Sequence, residues 1–77
     1  MTDFLHDRAM SLHHRAYEHL QEGKTYERFC SYMKALAERD NDQELKLEIT
    51  TQQIWNTAKT AIDAGMTKHQ AFPLTGS

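Results

Sequence analysis

Two helices and the turn between them are predicted by the stretch 16–30, which reads AYEHLQEGKTYERFC. Gly23 stands where a first helix would stop, because glycine accepts the left-handed conformation that often follows a last helical turn. Thr25 comes two residues later and is a preferred N-cap for a second helix. A connection this short places consecutive helices side by side and antiparallel. The stretch therefore predicts a helical hairpin as the basis of the fold.

Apolar residues on both sides of this turn recur every three or four positions, which is typical of the buried face of a helix. The pattern predicts helices over about 3–22 and 26–39, and a third apolar stripe that stops at Gly65 predicts a helix over about 51–64. The three stripes consist of Leu5, Ala9, Leu12, Ala16 and Leu20, then Tyr26, Phe29, Met33, Leu36 and Ala37, then Ile54, Ala58, Ala61 and Ile62.

The segment 44–49, ELKLEI, leaves two alternatives open. Its strict alternation of polar and apolar residues is typical of a β-strand, yet the sequence offers no second strand. The segment is therefore either a short strand that pairs with the same segment of a second chain, or the entry to a longer helix. The expected fold class is all-α or nearly so: a small helical bundle in one domain, 1–77, with a loose tail at 73–77.

Length and composition exclude several classes of protein. The chain has 77 residues, with nine Lys and Arg, eleven Asp and Glu, and a formal net charge of −2. No run approaches the roughly 20 apolar residues of a membrane-spanning helix, and the N-terminus lacks the basic start and apolar core of a secretory signal. A single cysteine allows no internal disulfide, which fits a reducing compartment. We therefore expect a cytoplasmic protein without a membrane partner.

No combination of residues predicts catalysis or a bound cofactor. His13, His14 and His19 point in three directions around a helix, whereas a metal ion needs three or four ligands with a fixed geometry. The segment 23–25, GKT, lacks the first glycine and the preceding strand of a phosphate-binding loop. We expect no catalytic residue, no metal and no cofactor, and hence a protein that is not an enzyme.

One part of the hairpin resembles a family of DNA-binding proteins. The stretch 16–30 looks like the first two helices of a helix-turn-helix, in which a helix, a glycine turn and a capping Ser or Thr precede a second helix. The second helix would offer Arg28, Lys34 and Arg39 as basic residues. The resemblance implies a DNA-binding transcriptional regulator.

A second resemblance is to ribbon-helix-helix regulators. The alternating segment 44–49, the helix that follows it and the turn at 64–68 stand in the order found in that family. In such proteins two strands pair across a dimer and place their polar face in the major groove. The matching face here would hold Glu44, Lys46 and Glu48.

The aromatic and leucine positions exceed what one small core can cover. Aromatic residues are enriched at the centres of protein interfaces, and small domains often gain stability by oligomerisation. We expect a small non-enzymatic regulatory protein that binds another protein and forms a homo-oligomer. It would act as an inhibitor, antirepressor or adaptor, for example of a phage or other mobile element, with DNA binding as the disfavoured alternative. The residues predicted for the partner or oligomer interface are Tyr17, Tyr26, Phe29, Tyr32, Leu45, Leu47, Ile49 and Trp55.

Overall fold

The computed structural model describes the backbone of residues 2–74 and the side chains of residues 8–74. Helices dominate this part of the chain, which contains no strand, and the expected all-α bundle is confirmed. The elements are α1 (Thr2–Gln21), α2 (Tyr26–Asp40), a 3-10 turn (Glu44–Lys46), α3 (Glu48–Asp63) and α4 (Lys68–Ala71).

The turn between α1 and α2 depends on Gly23 and Thr25. Gly23 has a φ of 77°, a left-handed conformation that costs glycine little. The N–H of Lys24 then donates to the carbonyl of His19 at 2.9 Å. The Thr25 hydroxyl accepts a hydrogen bond from the N–H of Arg28 at 3.3 Å and caps α2. The turn thereby satisfies backbone groups that the helix ends would leave without partners.

Side-chain contacts show that α1 and α2 run antiparallel, as predicted for the hairpin. Arg8, in the first half of α1, forms an ion pair of 3.1 Å with Asp40 at the end of α2. His19, near the end of α1, meets Phe29 near the start of α2 with ring centroids 5.6 Å apart. The most extensive backbone contact of α1 is nevertheless with α3. The third helix therefore closes the hairpin into a bundle.

The strand alternative for 44–49 is wrong, because this segment forms a short turn and then the start of α3. A 3-10 turn occupies Glu44–Lys46, Leu47 is extended with φ −78° and ψ 129°, and α3 begins at the next residue. The backbone therefore leaves the extended conformation after one residue. Leu45 is buried in the core, whereas Leu47 and Ile49 are exposed. The alternating pattern thus reflects one buried leucine between solvent-exposed neighbours.

Helix α3 starts three residues before the predicted position of 51. Leu47 occupies the N-cap position without a side-chain hydrogen bond, and Glu48 places a negative charge in the first turn, where the helix dipole favours it. Thr51, where the helix was expected to begin, lies within its first turn and is buried at 5% exposure.

The core lies where the faces of α1, α2 and α3 converge. Phe29 and Met33 of α2 are the largest fully buried side chains among the described residues. Leu45 and Phe72 reach this core from outside the three long helices. The buried hydrophobic residues are Leu12, Ala16, Tyr17, Phe29, Met33, Ala37, Leu45, Ile54, Ala58, Ala61 and Phe72.

The C-terminal segment returns to α1 after α3 ends. Helix α4 begins with a capping box, in which the Thr67 hydroxyl accepts from the N–H of Gln70 at 3.1 Å and the Gln70 side chain accepts from the N–H of Thr67 at 3.0 Å.

The predicted tail at 73–77 extends past position 74 and so lies partly outside the described residues. None of the described helices combines the length and apolar character needed to cross a bilayer.

Candidate protein-binding groove

The residues predicted for an interface fall into three groups by exposure. The buried group belongs to the chain's own core, so its side chains are not available at the surface of this structure. The half-buried group lies at the edge of the core, and the exposed group lies around the start of α3. Tyr17, Phe29 and Leu45 are buried, Tyr26, Tyr32 and Trp55 are half-buried, and Leu47 and Ile49 are exposed.

Four of the predicted aromatic residues come together in one cluster. The ring centroid of Phe29 lies 5.3 Å from that of Trp55 and 6.3 Å from that of Tyr32. Tyr26 meets Trp55 edge-on at 5.6 Å. Tyr17 makes a different contact, in which its hydroxyl donates to the carbonyl of Met66 at 2.6 Å. The cluster therefore holds α2 against α3. Because Tyr26, Tyr32 and Trp55 are half-buried, part of the surface of these three side chains remains accessible to a partner.

Tyr32 forms the outer edge of this cluster and faces α1. The guanidinium carbon of Arg15 lies 5.3 Å from the centroid of the Tyr32 ring, which is within range of a cation–π interaction. A groove of about 240 Å³ opens beside this pair, between α1 and α2. It continues along α2 into a second recess of about 210 Å³ that shares Tyr32. We call the two together the α1–α2 groove; its lining is Arg8, Ser11, Leu12, Arg15, Tyr32, Ala35, Leu36, Arg39 and Asp40.

Three arginines and one aspartate set the charge of the α1–α2 groove. Arg8 bridges Asp40 at 3.1 Å and Asp42 at 2.8 Å. Arg39 pairs with Asp40 at 3.0 Å, and this guanidinium holds the pKa of the Asp40 carboxyl below its usual value. Arg15 has one carboxylate neighbour, Glu18, at the longer distance of 3.5 Å. Arg15 and Arg39 are thus the arginines with most room for an external carboxylate, because their side chains are 51% and 73% exposed.

Sequence reasoning named Tyr32 for an interface but missed its partners on α1. Arg8 and Arg15 are seven residues apart, a spacing that places two side chains on the same face of a helix. That spacing was the available signal. The pairing of this face with Tyr32 depends on how α1 lies against α2, which the sequence pattern alone does not report.

His13 and His14 of α1 contact the C-terminal segment, whereas His19 packs against α2. His13 stacks on Phe72 with ring centroids 4.8 Å apart. The Nε2 of His14 hydrogen-bonds the carbonyl of Phe72 at 2.5 Å. His19 is buried, and its Nδ1 hydrogen-bonds the Arg15 carbonyl. Among the described residues, no group of three or more His, Cys, Asp or Glu side chains could hold a metal ion.

A second cleft, of about 340 Å³, lies between α2 and the start of α3. Its lining combines apolar side chains with charges of both signs: Cys30, Lys34, Leu45, Lys46, Glu48 and Thr51. Tyr26 is close by on α2, and burial raises the pKa of its phenol to about 12, with the Cys30 thiol adding to the rise. The lining of this cleft contains no aromatic residue and no arginine, whereas the α1–α2 groove is lined by both.

Comparison with known proteins does not assign this chain to a family. No protein-family model, curated protein or solved structure matches it.

Proposed function

We propose that this chain is a small non-enzymatic regulatory protein that acts by binding another protein, as an inhibitor, antirepressor or adaptor. The observation that supports this function is the placement of Tyr32 in an open groove with Arg15 over its ring. Leu36 and Arg39 line the same groove on α2. Tyrosine and arginine are among the residues that contribute most to binding energy at protein interfaces.

The groove favours a partner of definite chemistry. Tyr32 and Leu36 are half-buried and provide an apolar floor that is already held in place by the core. A preformed floor lowers the entropy that binding costs. Arg15 and Arg39 flank this floor and suit a carboxylate, because guanidinium groups bind carboxylates in a bidentate geometry. The expected partner therefore presents an apolar side chain with an acidic residue beside it.

Nucleic-acid binding is the second candidate, and the three arginines of the groove favour it. Phosphate contacts from arginine dominate the affinity of DNA-binding proteins. Against it, the carboxylates of Asp40 and Asp42 already neutralise Arg8. The net charge of the chain is also negative, at −2. A phosphate backbone would therefore meet fixed negative charge at one end of the groove.

Capture with matched variants tests this proposal. Tagged wild type, Tyr32→Ala, Arg39→Glu and Lys34→Glu would be used as baits in host lysate, each with and without nuclease. Lys34 is exposed on α2 but does not line the groove, so Lys34→Glu controls for the change of charge. We expect one protein to be retained by wild type and Lys34→Glu after nuclease, and to be lost with the two groove variants.

Two results would contradict protein binding at the groove. Equal capture by all four baits would place the binding surface elsewhere. Capture that disappears after nuclease treatment would support the nucleic-acid candidate, and the bound fraction should then fall steeply with added salt.

A further inference from the structure

The exposed large hydrophobic side chains among the described residues lie at the two ends of α3. Leu47 and Ile49, at the start of the helix, are 53% and 59% exposed. Met66, just beyond its end, is 39% exposed. Leu47 and Ile49 are only two residues apart, so they form a small aliphatic patch at one end of α3, and contiguous exposed apolar surface is what a partner can cover. This surface is separate from the α1–α2 groove, so the inference does not depend on the proposed function.

From Ile49 to Thr60, one exposed side of α3 carries only uncharged residues, and Asp63 is the first charged residue that follows on that side. Ile49, Gln53, Asn56 and Thr60 recur at steps of four, three and four, so they share one side of the helix. All four are exposed. Solvated helix faces usually carry charged residues, whereas the centres of interfaces are depleted of them. We call these four residues the α3 stripe.

An apolar recess of about 320 Å³ lies at the C-terminal end of the same stripe. Thr60 belongs to both the stripe and the recess, so the recess opens onto this face. Met66 forms part of its rim. The other lining residues are Thr57, Ala61 and Ala64 of α3, with Ala71 and Phe72 from the C-terminal segment. One end of α3 therefore offers projecting aliphatic side chains, and the other end offers an apolar recess.

We propose that a second copy of this chain occupies this face, with the two α3 helices packed antiparallel about a two-fold axis between Gln53 and Asn56. An antiparallel arrangement brings Leu47 and Ile49 of each copy to the apolar recess of the other. The same contact is made twice, as two-fold symmetry requires. A parallel arrangement would place the projecting side chains of both copies against each other and leave both recesses empty.

Charge complementarity favours the same arrangement. Glu48 and Lys59 are eleven residues apart, close to three helical turns, so they lie on the same flank of the stripe. Both are exposed, and neither belongs to the ion pairs formed among the described residues. An antiparallel two-fold puts Glu48 of one copy next to Lys59 of the other, on both sides of the axis. The antiparallel helix dipoles add to this attraction.

The test is the mass of the protein in solution across a range of concentrations, measured by analytical ultracentrifugation. Wild type is expected to form a dimer. Ile49→Asp should raise the dimer dissociation constant at least about tenfold, because it buries a charge against the recess. Circular dichroism of this variant should keep the helical signal of wild type, since residue 49 is exposed in the monomer.

Charge exchange separates the proposed geometry from any other dimer. Glu48→Lys and Lys59→Glu should each weaken the dimer, by about threefold to tenfold, because like charges then face each other across the axis. The double variant should restore the wild-type dissociation constant, which damage to the fold would not do. A wild type that stays monomeric up to about 1 mM would overturn the proposal. A dimer that is insensitive to Ile49→Asp, or a double variant weaker than both single variants, would also overturn it.

Discussion

The imidazole ring of His13 stacks on the ring of Phe72, with centroids 4.8 Å apart and an angle of 28° between the planes. These residues come from opposite ends of the chain. The contact joins the first helix to the segment that follows the last one, and it leaves Phe72 only 3% exposed. The return of the C-terminal segment is therefore part of the core.

We expect Phe72→Ala to lower the free energy of unfolding by about 3 kcal/mol, because it removes a buried ring and leaves a cavity. Urea denaturation would measure the change. Phe72→Leu fills part of the same space and should lose less. Hydrogen exchange should show that amides of α4 lose protection first in the alanine variant. An unchanged stability would mean that the segment contributes little to the core.

The ion pair between Lys68 and Glu18 predicts a pH-dependent stability. The Lys68 ammonium lies 2.9 Å from the Glu18 carboxylate and holds the pKa of that carboxyl below its usual value of 4.5. Since the folded pKa is below the unfolded one, the stabilisation is present above pH 4.5 and is lost as pH falls through the folded pKa. Both side chains are partly exposed, so the contribution is below about 1 kcal/mol.

Thermal unfolding of Lys68→Met would test this contribution. The variant should be slightly less stable than wild type at pH 7, and the difference should vanish at acid pH, where Glu18 is protonated. Lys34→Met is the control, because Lys34 is exposed and forms none of the ion pairs among the described residues. A stability difference of the same size at both pH values would show that Lys68 stabilises the fold through packing of the aliphatic part of its side chain.

Two tyrosine hydroxyls in this protein should respond differently to removal. The Tyr26 oxygen is buried beside the Cys30 thiol, and within the described part of the chain it makes no hydrogen bond of ordinary geometry. Tyr26→Phe should therefore keep or raise the melting temperature, because an unsatisfied polar atom is replaced by hydrogen. The Tyr17 hydroxyl donates to the Met66 carbonyl at 2.6 Å, so Tyr17→Phe should lose about 1 kcal/mol. A loss at position 26 as large as that at 17 would contradict this difference.

Gly65 turns the chain from α3 toward α4 and has a φ of 77°. A Cβ at this position would meet no atom within 4 Å, so the cost of a side chain comes from the backbone alone. We expect Gly65→Ala to lower the free energy of unfolding by about 1 kcal/mol. Gly65→Asn should lose less, because asparagine tolerates the left-handed region. If denaturation experiments gave the same loss of unfolding free energy for both variants, the cost would not come from the left-handed backbone conformation.

The helical periodicity of the sequence predicted the α-helical bundle, since steps of three and four residues mark the buried faces directly. Ala16, Phe29, Met33 and Ala58 of these stripes are fully buried. The segment 44–49 was ambiguous because strand alternation and a helix entry place apolar residues at the same positions. Only the tertiary structure distinguishes them, through the burial of Leu45 in the core.

The candidate site was less predictable than the fold. Phe29 and Tyr32 are both aromatic residues of α2 and lie three positions apart, yet the first is fully buried and the second lies in the groove. Residue type alone therefore could not separate core from surface aromatics. Arg15 joins Tyr32 only because α1 lies beside α2 in one particular register.

The most direct test of protein binding at the α1–α2 groove is site-specific photo-cross-linking. A photoreactive phenylalanine derivative would replace Ala35, which is exposed beside Tyr32 in the groove, and Gln21, exposed at the end of α1, would serve as the control position. We predict that position 35 cross-links a different protein in lysate, that position 21 does not, and that Tyr32→Ala abolishes the product. The same products at both positions, or none at position 35 other than copies of this chain, would contradict the account.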